Sequence, residues 1–229
     1  MHIGIAGIGK MGAAIGSRLL SQGYKVTVWN RTSVKAQSLL DAGAQWAPTP
    51  KALAESVDVV ITLLTNEAAL DDVYGSASGL FAGQVHDKVF IDMSTVRPAK
   101  PQEMARRAQA VQARFLECPV GGTVGPARAG QLLGVAGADK ADYAAAEPLL
   151  KQMCRRVDHV GPVGEKGDAA EALGLALGQQ QLAAAVQALE PGIAVRMDAH
   201  AGRQFAVAGQ AAHHQPVAVV VVALGRQRL

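Results

Sequence analysis

Cysteine is scarce in this chain: Cys118 and Cys154 are the only two among 229 residues. Two cysteines give no disulfide framework and fit a reducing compartment. An excess of one charge is also missing. The formal net charge is +3, too mild to read as a nucleic-acid surface. The longest apolar run near the end, Val217 to Leu224, falls far short of the roughly 20 residues a membrane helix needs. The opening MHIGIAGIGKMG has no basic segment and no extended apolar one, so it does not read as a signal peptide. Aromatic residues are few, and Phe205 is the only one after Tyr143, which leaves the last part of the chain short of large core anchors. What is present is apolar. Hydrophobic residues make up 49% and charged ones 18%, so a packed core is readily supplied. The expectation is a soluble cytoplasmic protein of one large or two small domains, with no nucleic-acid or membrane partner.

The pattern along the chain alternates strand and helix. His2 to Ala6 reads as a strand buried on both faces. A helical pattern follows to Gln22, with Gly23 where a C-cap glycine belongs. Further strands are expected at Lys25 to Trp29, Asp58 to Leu64, Lys88 to Asp92, Arg114 to Glu117, Leu132 to Ala136 and Arg156 to Val160. Helices are expected from Thr32 through Leu40, after the N-cap pair Thr49-Pro50, from about Pro98 to Ala113, and from Asp139 to Met153. This alternation predicts an α/β fold: a Rossmann-type, doubly wound, mainly parallel sheet over residues 1–163. Residues 164–229 change character, becoming rich in Ala, Leu, Gln and Gly. They read as a short atypical helical segment, partly disordered. The pair His213-His214 lacks nearby Cys or carboxylate partners, so no metal site is expected.

The run Gly7-Ile8-Gly9-Lys10-Met11-Gly12 directly follows the first strand and opens the first helix. That context turns a weak G-x-G-x-x-G signal into a dinucleotide-binding one. In such a loop the first glycine makes a tight turn and the second admits the pyrophosphate. The third allows helix and strand to pack closely, and the helix N-terminus offers free N–H groups. The end of the second strand bears on the choice of cofactor. An NAD enzyme usually places Asp or Glu there, whereas this chain has Asn30-Arg31-Thr32. Arg31 is suited to pair with a 2′-phosphate. NADP(H) is the preferred cofactor and NAD(H) the other possibility.

Three stretches together are more specific than the glycine loop: Gly7 to Gly12, Asp92-Met93-Ser94-Thr95, and Pro119 to Leu132, PVGGTVGPARAGQL. On these, the first 165 or so residues resemble the 3-hydroxyacid dehydrogenases. These include 3-hydroxyisobutyrate dehydrogenase, tartronate semialdehyde reductase, the glyoxylate/succinic semialdehyde reductases and, more distantly, 6-phosphogluconate dehydrogenase. The resemblance implies hydride transfer between NADP(H) and a small 3-hydroxy acid or semialdehyde. It implies that Leu64 and Thr65 border the nicotinamide side, that Thr95 contacts the cofactor, and that Ser94 lies beside it at the substrate. It also implies that the backbone of Gly121, Gly122 and Thr123 cradles a substrate carboxylate, with Gly121 where many relatives carry Ser. Family members are dimers or tetramers.

In the family a lysine on a helix after a glycine-rich turn moves the proton, with an asparagine one turn later. That lysine would fall near Ala170, and no asparagine follows Asn66. Lys166 is the nearest candidate, about one helical turn early. Asp168 and Glu171 are further acids in the segment, and the related imine reductases replace the lysine with other residues. Only 65 residues follow Gly164, fewer than the family's helical domain. The segment is therefore expected to be a truncated or divergent remnant of it. The alternative expectation is a truncated or frameshifted family member that binds NADP(H) without turnover.

Overall fold

A computed structural model describes residues 1–97, 99–164, 194–197 and 205–208. The chain divides into two units, Met1–Leu175 and Ala176–Leu229. In the first, the order is β1 (His2–Ala6), α1 (Lys10–Ser21), β2 (Lys25–Trp29), α2 (Gln37–Asp41), β3 (Gln45–Trp46), α3 (Pro50–Ser56), β4 (Val59–Thr62), α4 (Glu67–Gly75), β5 (Val89–Asp92), α5 (Ala99–Ala110), β6 (Arg114–Glu117), β7 (Val120–Gly121), α6 (Val124–Ala129), β8 (Leu132–Ala136), α7 (Lys140–Met153) and β9 (Cys154–His159). In the second, β10 (Ala194–Met197) and β11 (Phe205–Ala208) pair antiparallel.

Six strands form one sheet in the order β3-β2-β1-β4-β5-β6. Every pairing within it is parallel. This is the doubly wound order, and the direction of winding reverses between β1 and β4. The period-2 geometry of a strand sends alternate residues to opposite faces. Ile61 and Ile91 therefore join a core with Ile15 and Leu19 of α1. Val60 and Phe90 join a second core with Leu53 of α3, Leu70 and Tyr74 of α4 and Met104 of α5. β4 and β5 are buried along their whole length, which is why their sequences run apolar rather than alternating. The scarce aromatics gather on the second face, where Tyr74 and Phe81 ring centroids lie 4.8 Å apart and Phe81 and Phe90 lie 5.1 Å apart.

Several boundaries depart from the sequence pattern. The helix expected from Thr32 begins as a 3-10 turn over Ser33–Ala36, and Thr32 makes no side-chain cap. Thr49 does cap α3, its hydroxyl accepting from the Ala52 N–H at 3.1 Å. α4, α6, β3 and β7 lie outside the expected elements. β7, β8 and β9 leave the main sheet and make a second, mixed sheet of three strands.

Candidate dinucleotide site

The loop after β1 owes its shape to two close approaches. Gly7 has φ +102°, and a Cβ there would stand 2.3 Å from the Leu63 carbonyl oxygen. A Cβ on Gly12 would stand 2.1 Å from the Gly7 carbonyl oxygen. Only glycine satisfies either position. Gly9 differs: a Cβ there would meet nothing within 4 Å, so its backbone faces open space. Gly9 caps α1 without a side-chain hydrogen bond, and the first turn of α1 has no acidic residue. The N–H groups and positive dipole end of a twelve-residue helix are thus available to an anion.

Asn30 ties this loop to the end of β2. Its Oδ1 accepts from the Ile8 N–H at 2.9 Å, and its Nδ2 donates to the Thr32 carbonyl at 2.9 Å. A crevice of about 380 Å³ opens at the point where the strand order reverses. It brings together Gly7, Ile8, Gly9, Asn30, Arg31, Thr32, Leu64 and Thr65, all expected from sequence. It adds Lys35, Asn66 and Asp72, which sequence reading missed. Lys35 stands four residues beyond Arg31, a spacing that carried the signal. Asn66 was legible as a helix cap after a strand; its Oδ1 accepts from the Ala69 N–H at 2.9 Å. An adjoining cavity of about 540 Å³ joins Thr65 to Thr95, between the loops that follow β4 and β5.

Those two loops are held by a buried network. Asp92 Oδ1 accepts from the Thr62 hydroxyl at 2.7 Å, the Ser94 hydroxyl at 2.6 Å and the Ser94 N–H at 3.2 Å. The Ser94 hydroxyl in turn accepts from the Leu64 N–H at 2.9 Å. Ser94, expected at the substrate, is thus placed under Leu64 and is 6% exposed. The Tyr74 hydroxyl lies 3.0 Å from that of Thr62. Burial raises the Tyr74 phenol well above its ordinary range, with the Asp92 charge adding to the rise and the Thr62 hydrogen bond opposing it.

On the surface, Arg97 closes the same two loops with a bidentate pair to Glu67, at 2.8 and 2.7 Å. The Arg97 hydrogen bond holds the Glu67 carboxyl down to about 2. Because this value is lowered, the contact is complete above the ordinary carboxylate range and is lost as pH falls through about 2. An NMR titration of the Glu67 carboxyl is therefore expected to give a midpoint near 2. In Arg97→Ala the midpoint should return to about 4.3. An identical midpoint in both proteins would refute the pairing.

Lys10 and Met11 sit in the first turn of α1 beside Gly12, outside the residues that line the crevice. Gly121, Gly122 and Thr123 stand where β7 leads into α6 and are not among the residues that line either cavity. Gly121 is buried and Thr123 exposed, and the Thr123 hydroxyl makes no cap bond. Lys166 lies outside the described residues, as do Asp168, Glu171 and His213-His214. A further cavity of about 420 Å³ opens among Asp58, Lys88, Val89 and Arg114, away from the glycine loop. The Lys88 ammonium there already donates to the carbonyls of Ala54, Glu55 and Val57 at 2.7 to 2.8 Å. No group of three metal-ligating side chains occurs among the described residues. No helix among them is long and apolar enough to cross a membrane.

A parallel sheet in this order, with a glycine loop at its switch point, defines a dinucleotide-binding domain of the Rossmann type. The chain belongs to the family of the NAD binding domain of 6-phosphogluconate dehydrogenase, which it matches over residues 2–161. It is 31% identical to mitochondrial 3-hydroxyisobutyrate dehydrogenase of Bos taurus, over 86% of this chain and 58% of that protein. A solved structure, Psf3 in complex with NADP+ and 2-OPP, is 32% identical with a TM-score of 0.70, covering 73% of this chain and 60% of that one. Mycobacterium tuberculosis 3-hydroxyisobutyrate dehydrogenase with L-serine is 29% identical with a TM-score of 0.70, covering 80% and 62%. The chain spans a little over half the length of the curated relatives it matches.

Proposed function

We propose that residues 1–163 bind NADP(H), and that the protein transfers hydride between this cofactor and a small 3-hydroxy acid or semialdehyde. The observation that carries the cofactor reading is the crevice itself. It sets two cations, Arg31 and Lys35, beside a glycine loop whose helix N-terminus is free of acidic side chains. The open space at Gly9 and the close approaches at Gly7 and Gly12 fit a dinucleotide pyrophosphate. The cofactor, when bound, supplies the hydride. The chain's own residues do the holding. α1 faces the pyrophosphate, Arg31, Thr32 and Lys35 face the adenosine ribose and its 2′-phosphate, and Leu64, Thr65 and Thr95 border the nicotinamide. The relatives' names point to a small carboxylate as substrate, with Gly121, Gly122 and Thr123 as its cradle and Ser94 as support beneath. Residue 164 onward is read as the divergent counterpart of a substrate domain, with Lys166 as its candidate proton donor. We place the protein in the cytoplasm.

The test is cofactor titration with Arg31→Ala, Lys35→Ala and the double variant. Each loss of a charge-assisted bond should weaken NADPH by about tenfold and leave NADH within about threefold. An NADPH preference that survives the double variant would overturn the 2′-phosphate argument. Assays with 3-hydroxy acids and semialdehydes then test turnover. Tight binding with no turnover would favour a catalytically impaired relative instead.

A further inference from the structure

α4 carries three acids, Glu67, Asp71 and Asp72. Two are taken by cations on the side of α5. Glu67 pairs with Arg97, and Asp71 pairs with Lys100 and Arg107. Asp72 differs. Its side chain makes no hydrogen bond or ion pair among the described residues, and it lines the crevice. Ala68 and Ala69 line the same wall. At about 100° per residue, positions 68, 69 and 72 share one helix face. Two methyl groups leave that face flat and apolar, with a carboxylate at its far end.

Because β1 lies between β2 and β4 in the sheet, the glycine loop separates this wall from the side of the crevice lined by Arg31, Thr32 and Lys35. With a dinucleotide held as proposed above, a reading on which this inference rests, the adenosine half occupies the space between these walls. The nicotinamide half runs on toward Thr95. A base in that space has the alanines against its ring and Asp72 at its edge. An ionised carboxylate offers acceptors only. Adenine presents an exocyclic amine with two donors, whereas hypoxanthine has a carbonyl oxygen at the same carbon. We propose that Asp72 selects the purine of the cofactor by accepting a hydrogen bond from the 6-amino group. A 6-oxo purine meets repulsion at that point instead.

The test measures binding, not activity. Reduced nicotinamide fluorescence follows titration with NADPH, NADH and the hypoxanthine analogue of each. The wild-type protein should bind each adenine form about tenfold more tightly than its hypoxanthine counterpart. Asp72→Ala should reduce that ratio to within about twofold, chiefly by weakening the adenine forms. Asp72 is exposed, so the fold should tolerate the change, and matching melting curves check this. A purine ratio unchanged in Asp72→Ala would overturn the proposal while leaving NADP(H) binding intact. So would a gain confined to the 2′-phosphorylated forms, which would make Asp72 a source of charge repulsion alone. Failure of the wild-type protein to bind any of the four would overturn the NADP(H) reading and this inference with it.

Discussion

Gly7→Ala is expected to weaken NADPH binding by about a hundredfold and to lower unfolding free energy by about 2 kcal/mol. The reason is local and twofold. The residue occupies φ +102°, a region that an L side chain rarely adopts. A methyl group would also meet the Leu63 carbonyl oxygen at 2.3 Å. That oxygen belongs to the segment held by the Leu63 N–H bond to the Ala6 carbonyl at 3.0 Å. Neither side of the clash yields without parting the ends of β1 and β4. Parting them moves the loop away from the pyrophosphate path. Gly9→Ala is the internal contrast, because its methyl group would meet nothing within 4 Å. It should leave stability unchanged and weaken binding only by standing where the ligand approaches. Denaturant melts with fluorescence titrations separate the two variants. Gly7→Ala binding NADPH within about threefold of wild type would refute the account.

Asp92→Ala is expected to cost about 3 kcal/mol of stability, because it leaves the hydroxyls of Thr62 and Ser94 without their buried acceptor. Asp92 is 1% exposed and Thr62 0%, so water does not readily replace the carboxylate. The loss should also reach the cofactor. Ser94 carries the Leu64 N–H, and Leu64 lines the crevice. NADPH affinity should therefore fall in Asp92→Ala at temperatures well below its unfolding transition. Tyr74→Phe removes a hydroxyl from the far end of the same network. It should cost about 1 kcal/mol and leave affinity unchanged. An NADPH affinity left unchanged in Asp92→Ala would show that the network does not support the loop.

The sequence made the centre of the sheet legible because the chemistry there is concentrated. β1, β4 and β5 are buried on both faces and so run apolar, and the glycine loop needs residues that nothing else replaces. Legibility falls toward the edges. β3 and β7 have two residues each, too few to show a period. α4 hides behind small and acidic residues, although Asn66 marks its start. The same short helix supplies one wall of the crevice, so missing it meant missing Asp72. Lys35 stands at helical spacing from Arg31, but the structure starts that segment with a 3-10 turn, so the spacing alone does not place it on the crevice wall. Asp92 and its partner Ser94 share one short motif, but its other partner, Thr62, is 30 residues away. No local pattern shows such a meeting.

The Asn30 bridge bears on any attempt to retarget the cofactor. Swapping the residue at the end of β2 for an acid is the obvious design for an NAD-selective version. Here that position also braces the phosphate loop, through Oδ1 to Ile8 and Nδ2 to Thr32. Aspartate at 30 would retain the first link and sever the second, and glutamate would reach past both. A designer cannot treat the two ends of the nucleotide grip as separate modules. A change of preference written at Asn30 is also a change in the stiffness of the loop before α1.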